Sequence, residues 1–219
     1  MINTNNYKKI TEVAQINKAQ LVAVTKTRPQ EAVQELYKLG QRIMGENRVQ
    51  EMVEKQANLP ADIAWHLIGH LQTNKVKYIA PFVAMIHAVD SIKLLQEIDK
   101  RAKESNRVIP CLLQFHIAQE DSKYGLHILE AQTVLGDRSL RELKNVRIAG
   151  VMGMATNTDD QAQIQREFQN LKEIFDTLQA QYFADSPEFK EISMGMSGDY
   201  ELALQEGSTM IRVGSKLYE

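Results

Sequence analysis

Leu21-Val22-Ala23-Val24-Thr25-Lys26-Thr27 opens on four consecutive apolar residues and closes around a lysine. A strand that is apolar at successive positions, instead of alternating, is covered on both faces, as the strands of a parallel sheet are. Seven more short apolar runs follow, at 42–45, 64–69, 84–89, 108–116, 146–152, 191–194 and 209–213. The stretches between them carry helical spacing. Ile164, Phe168, Leu171, Phe175, Leu178 and Tyr182 recur at three- and four-residue steps behind a cap region at Thr158-Asp159-Asp160, which makes one core-facing stripe. Leu94, Leu95, Ile98 and Ala102 form a second stripe, with Ser91 as its cap and Glu97 and Arg101 spaced for a surface pair.

Eight strands with helices between them predict an α/β chain folded as a single (β/α)8 barrel of the TIM type. The 219 residues lie within the range for such barrels, which begins at about 200. An open doubly wound sheet is the alternative, but no Gly-x-Gly-x-x-Gly follows the first strand. Residues 3–17 predict an extra N-terminal helix covering the barrel bottom, with Ile10, Val13 and Ile16 on one face. Without a low-complexity linker, charge block or internal repeat, residues 1–219 are expected to form one domain.

A net charge of −2 provides no basic field for nucleic acid or acidic membranes. The polar N-terminus lacks the apolar core of a secretory signal. No apolar run approaches the roughly 20 residues of a membrane span. A single cysteine, Cys111, excludes an internal disulfide and fits a reducing, cytoplasmic setting; its apolar neighbours mark it as a small buried hydrophobe.

Lys26 is the first candidate for chemistry. An apolar approach would desolvate its ammonium group and favour the neutral amine, which attacks carbonyls; the plain alternative is a lysine snorkelling to the strand edge. The second candidate is a pair of loops. Ser197-Gly198 follows the seventh strand and Gly214-Ser215 the eighth, where barrels commonly bind phosphate through backbone N–H groups. Arg212 is the third: alternation puts it on the same side of its strand as Gly214, with Ile211 and Val213 on the other. Asn47, after the second strand, either caps the next helix or donates to a ligand. His66 and His70 suggest a metal, but a four-residue spacing gathers ligands only on a helix, and this segment reads as strand and loop; no metal is expected. His87 and His116 read as polar core or rim residues. Lys123, in the Ser122-Lys123-Tyr124-Gly125 loop, is the one rival to Lys26. An amine at a strand end facing two phosphate-type loops suits an aldehyde that carries a phosphate, and pyridoxal 5′-phosphate (PLP) is such a molecule.

These segments, together with Gly45-Glu46-Asn47, the run from Trp65 to Lys75, Gly150-Val151-Met152 and the two C-terminal stretches Ser193 to Tyr200 and Gly207 to Ser215, carry a resemblance over nearly the whole chain. The sequence resembles the pyridoxal phosphate homeostasis proteins (the YggS/PROSC family). That resemblance implies a fold like the N-terminal barrel of alanine racemase, with PLP held on Lys26 as a Schiff-base lysine. It implies phosphate contacts at Ser197, Gly214 and Ser215, Arg212 facing the pyridine nitrogen, and Asn47 lining the pocket. It also implies a role in intracellular PLP supply (storage, buffering or delivery) and in amino-acid balance, by a monomer without substantial catalysis, with PLP-requiring apo-enzymes as candidate partners. Arg48 departs from the aromatic residue common among relatives. The alternative is an active racemase of the same fold. Racemisation needs acid/base groups on both faces of the substrate carbon; Lys26 serves one. Alanine racemases organise the other with an additional C-terminal β-domain, whereas this sequence ends at Glu219, directly after the phosphate strand. A sugar-phosphate enzyme using Lys26, and a regulatory protein sensing PLP, complete the rivals.

Overall fold

The structure, a computed structural model, describes residues 1–120 and 124–219. The eight expected strands are all present, as β1 (Gln20–Val24), β2 (Ile43–Glu46), β3 (Ala64–Leu67), β4 (Met85–Val89), β5 (Ile109–Phe115), β6 (Val146–Gly153), β7 (Glu191–Ser193) and β8 (Met210–Val213). Each pairs in parallel with the next, and β8 returns to β1 with Val22 opposite Arg212, closing the barrel. Closure leaves no sheet edge exposed.

The described helices are α1 (Thr4–Ile16), α2 (Gln30–Lys38), α3 (Val49–Asn58), α4 (Val76–Ile79), α5 (Ile92–Glu104), α6 (Ile128–Gly136), α7 (Gln161–Tyr182) and α8 (Tyr200–Gln205). Their starts and faces follow from the sequence. Ser91 Oγ accepts from the Leu94 N–H and opens α5, and all four stripe residues of that helix are buried. Arg101 Nε donates to Glu97 Oε1 at 2.7 Å. Asp160 caps α7, whose stripe is buried from Ile164 to Leu178, while Tyr182 is exposed at the frayed end. Cys111 is fully buried, and burial pushes its thiol pKa far up, which makes it inert.

In the N-terminal helix Ile10 is buried and Val13 packs against the core as expected, but Ile16 does not share that face. The helix buries Tyr7, Ile10 and Ala14, whereas Ile16 is exposed. Its start is tied to the C-terminal turn, where Asn3 N–H donates to Leu217 O and Asn6 Nδ2 to Lys216 O. Its end runs through residues 17–19 into β1. α1 therefore packs on the outside of β1 and against the C-terminal turn, and its Tyr7, Thr11 and Ala14 line a cleft with Gln20, Leu21 and Gln41 at the bottom of β1 and β2.

Two apolar cores result. The larger lies between barrel and helices; the smaller, inside the barrel, contains Val22, Met85, Leu112, Ala149, Met152 and Met210. On β4, β5 and β8 the next inward residue toward the C-terminal end is polar: His87 after Met85, Gln114 after Leu112 and Arg212 after Met210. The barrel interior thus changes from oily to polar as it nears its upper mouth, the end where barrel sites form. Among the described residues no helix is long and apolar enough to cross a membrane.

Candidate functional site

Lys26 stands at the barrel mouth, two residues past the end of β1. It is exposed, so the desolvation expected from its apolar approach does not hold: the strand stops at Val24 and the lysine rides on a turn. Thr25 N–H still bonds Gly45 O of β2, and Arg28 N–H closes the turn onto Thr25 O at 3.0 Å. Thr27, third of the four turn residues, has φ +60°. A β-branched residue there costs about 1–3 kcal/mol, and such strain persists only where neighbours over-determine it. The neighbours are a buried charged cluster behind the strand. Lys55 Nζ of α3 donates to Thr25 O at 2.6 Å, to Glu46 Oε1 at 2.7 Å and to Glu51 Oε1 at 2.7 Å. Thr25 Oγ1 donates to Glu46 Oε1, and Thr27 N–H to Glu51 Oε1 at 2.6 Å. Glu46 is fully buried, its Oε2 has no hydrogen-bond partner, and burial raises its pKa against the opposing pull of Lys55 and Thr25.

The loops after β7 and β8 meet beside this turn. Gly214 N–H donates to Ser197 Oγ at 3.1 Å. Gly214 also lies against β1, where a Cβ would come within 3.3 Å of Val24 Cβ. Ser215 follows at the start of a short 3-10 turn, Ser215–Leu217. Ser197, Gly214 and Ser215 are therefore brought together past the ends of β7 and β8, and β8 is the neighbour of the strand that leads to Lys26. Asn47 is at the mouth after β2 and does not cap α3; the cap position belongs to Arg48, which is exposed and makes no side-chain cap bond. Gly69 lets the two loops touch, since a Cβ there would lie 2.4 Å from Asn47 O.

Arg212 points into the barrel and is 4 % exposed. Its Nη1 donates to Ser193 Oγ at 2.6 Å and its Nη2 to Gly153 O at 2.9 Å. Ser193 Oγ is 2.9 Å from His87 Nδ1, and His87 Nε2 is 2.9 Å from His66 Nδ1. Donor inventory orients this chain. Arginine only donates, so Ser193 Oγ accepts, and the acceptor within reach of its own buried hydrogen is His87 Nδ1. His87 then donates from Nε2 to His66 Nδ1, leaving His66 with its hydrogen on Nε2. Both imidazoles are neutral: burial lowers the His66 pKa to about 4, and burial, His66 and Arg212 hold His87 well below the usual range. Burial lowers Arg212 to about 10, against the pull of Asp199, which leaves it cationic at neutral pH.

His66 and His70 do not come together. His66 is inside the barrel, whereas His70 lies outside near Asp90 and stacks on Tyr124, linking the loops after β3 and β5. His116 is at the rim, its Nε2 2.9 Å from Glu120 O. Lys123 lies outside the described residues. Sequence reading gave no role to Ser193, Glu46, Glu51 or Lys55. Inward alternation on β7 would have located Ser193; no periodic signal marks the buried cluster.

A parallel eight-stranded barrel with a lysine after β1 and paired small-residue loops after β7 and β8 belongs to the alanine racemase type of barrel. The family model described as alanine racemase, N-terminal domain, matches residues 3–219. The pyridoxal phosphate homeostasis protein of Aquifex aeolicus is 39% identical over 203 residues, covering 92% of this chain and 87% of the relative. The protein of that name from Vibrio alginolyticus is 35% identical over 91% of this chain and 85% of its own length. PipY of Synechococcus elongatus PCC7942, solved with PLP bound, superposes with a TM-score of 0.85 at 35% identity over 98% of this chain and 100% of that one; its PLP-free form gives 0.87 at 36% identity, over 97% and 99%. The chain belongs to the pyridoxal phosphate homeostasis protein family. Alanine racemase from Bartonella henselae, 17% identical with a TM-score of 0.73, shares the fold over 97% of this chain and 59% of its own.

Proposed function

We propose that this chain binds PLP at the barrel mouth and holds it for intracellular supply, acting in the cytoplasm as a single-domain monomer that buffers or hands on the cofactor to PLP-requiring apo-enzymes. The observation that carries the reading is the adjacency of the two halves of a PLP site. Gly214, bonded to Ser197, touches Val24, two residues before Lys26. The relatives' name and the PLP-bound PipY structure support it.

The residues present fit the group. When bound, PLP supplies an aldehyde that condenses with a primary amine and a phosphate that accepts hydrogen bonds. Lys26 is the amine on this side of the mouth. Ser197 and Ser215 provide hydroxyl donors, and Gly214 lets the backbone come close. Arg212, fixed by Ser193 and Gly153, keeps its remaining N–H groups for the ring nitrogen. Asn47 lines the β2 side. A cationic donor at that nitrogen opposes its protonation and weakens the ring as an electron sink, which suits holding over turnover.

The test is an absorbance spectrum of the purified protein with PLP, before and after borohydride, followed by peptide mapping. The pyridoxyl label is expected on Lys26; a label mainly on Lys123 overturns the assignment. Charge-assisted hydrogen bonds contribute about 1.5–3 kcal/mol each, so pyridoxal without its phosphate is expected to bind far more weakly. Equal binding of the two refutes the phosphate site.

A further inference from the structure

The buried cluster on the outer side of β2 addresses two backbone groups, and they are the ones that flank Lys26. Lys55 Nζ bonds Thr25 O and Glu51 Oε1 accepts from Thr27 N–H, both at 2.6 Å. Lys55 is 4 % exposed and Glu46 not at all, and the two side chains are 2.7 Å apart. Docking of α3 on the barrel does not need this cluster, because Met52 of the same helix is fully buried in the outer core. A buried ion pair is in any case a poor way to stabilise a fold, since apolar residues of similar shape do as well or better. One lysine shared by two carboxylates, with one carboxylate oxygen buried and unpartnered, is costly unless it secures something apolar packing cannot. Apolar side chains cannot hold a carbonyl and an amide N–H in place. Lys55 and Glu51 do so on either side of Lys26, across a turn whose Thr27 is at φ +60°.

We propose that Glu46, Lys55 and Glu51 are positioning residues for Lys26. From behind the strand they lock the Thr25–Arg28 turn, so that the exposed lysine presents Nζ to the barrel mouth in one orientation. The inference rests on the reading that Lys26 captures PLP. In that capture a carbon–nitrogen double bond forms between Nζ and the aldehyde carbon, and the aldehyde oxygen leaves as water with the two protons of the neutral amine. Glu46 orients Lys55 by accepting from it and from Thr25 Oγ1; Lys55 and Glu51 hold the backbone.

The test separates capture from phosphate and ring binding. Pyridoxine 5′-phosphate, which has an alcohol in place of the aldehyde, probes the second alone. Wild type, Glu51→Ala, Glu51→Gln and Lys55→Met are compared for the rate of PLP capture, trapped with borohydride and mapped, and for the dissociation constant of pyridoxine 5′-phosphate. Misplacing a reacting group by about 1 Å can cost on the order of 100-fold, so Glu51→Ala and Lys55→Met are expected to slow capture by about 10-fold or more. Their affinity for pyridoxine 5′-phosphate is expected to stay within about twofold, a difference far below 1.4 kcal/mol. Glu51→Gln keeps an oxygen for Thr27 N–H and is expected to recover most of the rate. Should Lys55→Met not fold, the Glu51 pair decides. Capture at the wild-type rate in Glu51→Ala, equal loss of both ligands, or Glu51→Gln no better than Glu51→Ala overturns the proposal. A wild-type label away from Lys26 instead overturns the underlying site reading.

Discussion

Ser193→Ala is the most direct way to break the chain that holds Arg212. Ser193 is fully buried, so water does not readily replace the lost hydroxyl. Two bonds go together: the 2.6 Å bond from Arg212 Nη1 and the 2.9 Å contact with His87 Nδ1. A hydrogen bond to a charged group contributes about 1.5–3 kcal/mol and a neutral one about 0.5–1.5 kcal/mol, so the expected destabilisation is about 3 kcal/mol. With a urea slope near 2 kcal/mol/M, the unfolding midpoint should fall by about 1.5 M. The second readout is specific to the assigned direction of the chain. In the wild type, nitrogen NMR should show both His66 and His87 neutral, with hydrogen on Nε2. In the variant His87 has lost the donor to Nδ1, and its tautomer should become mixed. A midpoint within about 0.3 M of wild type, with His87 unchanged, would refute the reasoning.

Acid should destabilise the fold through His66. Its folded pKa of about 4 lies below the unfolded value near 6.5, so between these the unfolded chain binds more protons and stability falls as pH drops. From pH 7 to pH 5 the expected loss is about 2 kcal/mol, read from urea midpoints and smaller in His66→Gln; His87 acts in the same direction. Equal midpoints at the two pH values would contradict the buried neutral pair. Gly69→Ala forces a Cβ to within 2.4 Å of Asn47 O. Because the obstacle is backbone, it should cost about 1–3 kcal/mol and weaken PLP binding by displacing Asn47; an unchanged melting temperature and affinity would show that the loops after β2 and β3 yield freely. Alanine in heavy water with the PLP-loaded protein should exchange its α-hydrogen no faster than with free PLP. Exchange with inversion, abolished by Lys26→Ala, would make the protein a racemase.

The barrel was legible because burial on both faces leaves consecutive apolar residues, and all eight runs became strands. Ends were less legible. Lys26 belongs to the same apolar phrase as Leu21–Val24, but the hydrogen bond of the turn, not hydropathy, ends the strand. Ile16 of α1 was misread because it looks like a core residue, while the aromatic Tyr7 and the small Ala14 join Ile10 in packing on the outside of β1. Arg212 was placed on the same side of its strand as Gly214 by alternation, and His87 read as a polar core or rim residue. That His66, His87, Ser193 and Arg212 touch depends on β3, β4, β7 and β8 closing across the barrel, which no local pattern encodes. Lys55, between Glu54 and Gln56, has the composition of a solvated helix face. Its burial depends on which way α3 docks, and its partner Glu46 is on a strand where a charge looks like a strand end.

The two histidines inside the barrel present a donor where a catalyst of proton transfer needs an acceptor. In the oriented chain, Ser193 Oγ, His87 Nδ1 and His66 Nδ1 all accept from within, so the acceptor lone pairs of both imidazoles are used inside the barrel. What faces outward is the Nε2–H of His66 and the unspent N–H groups of Arg212. Ser197 and Ser215 add hydroxyls on the loops after β7 and β8, and Ser197 already accepts from Gly214. Removing an α-hydrogen calls for a free lone pair near the substrate carbon, and in these tautomers neither His66 nor His87 supplies one. Converting His66 into a base would require reversing every bond down to Ser193, which would leave the serine hydrogen buried without an acceptor. The same polarity that fixes Arg212 on Ser193 therefore keeps His66 from acting as the second base. On the proposed reading Lys26 is the amine that captures the aldehyde, and His66 gives it no second base.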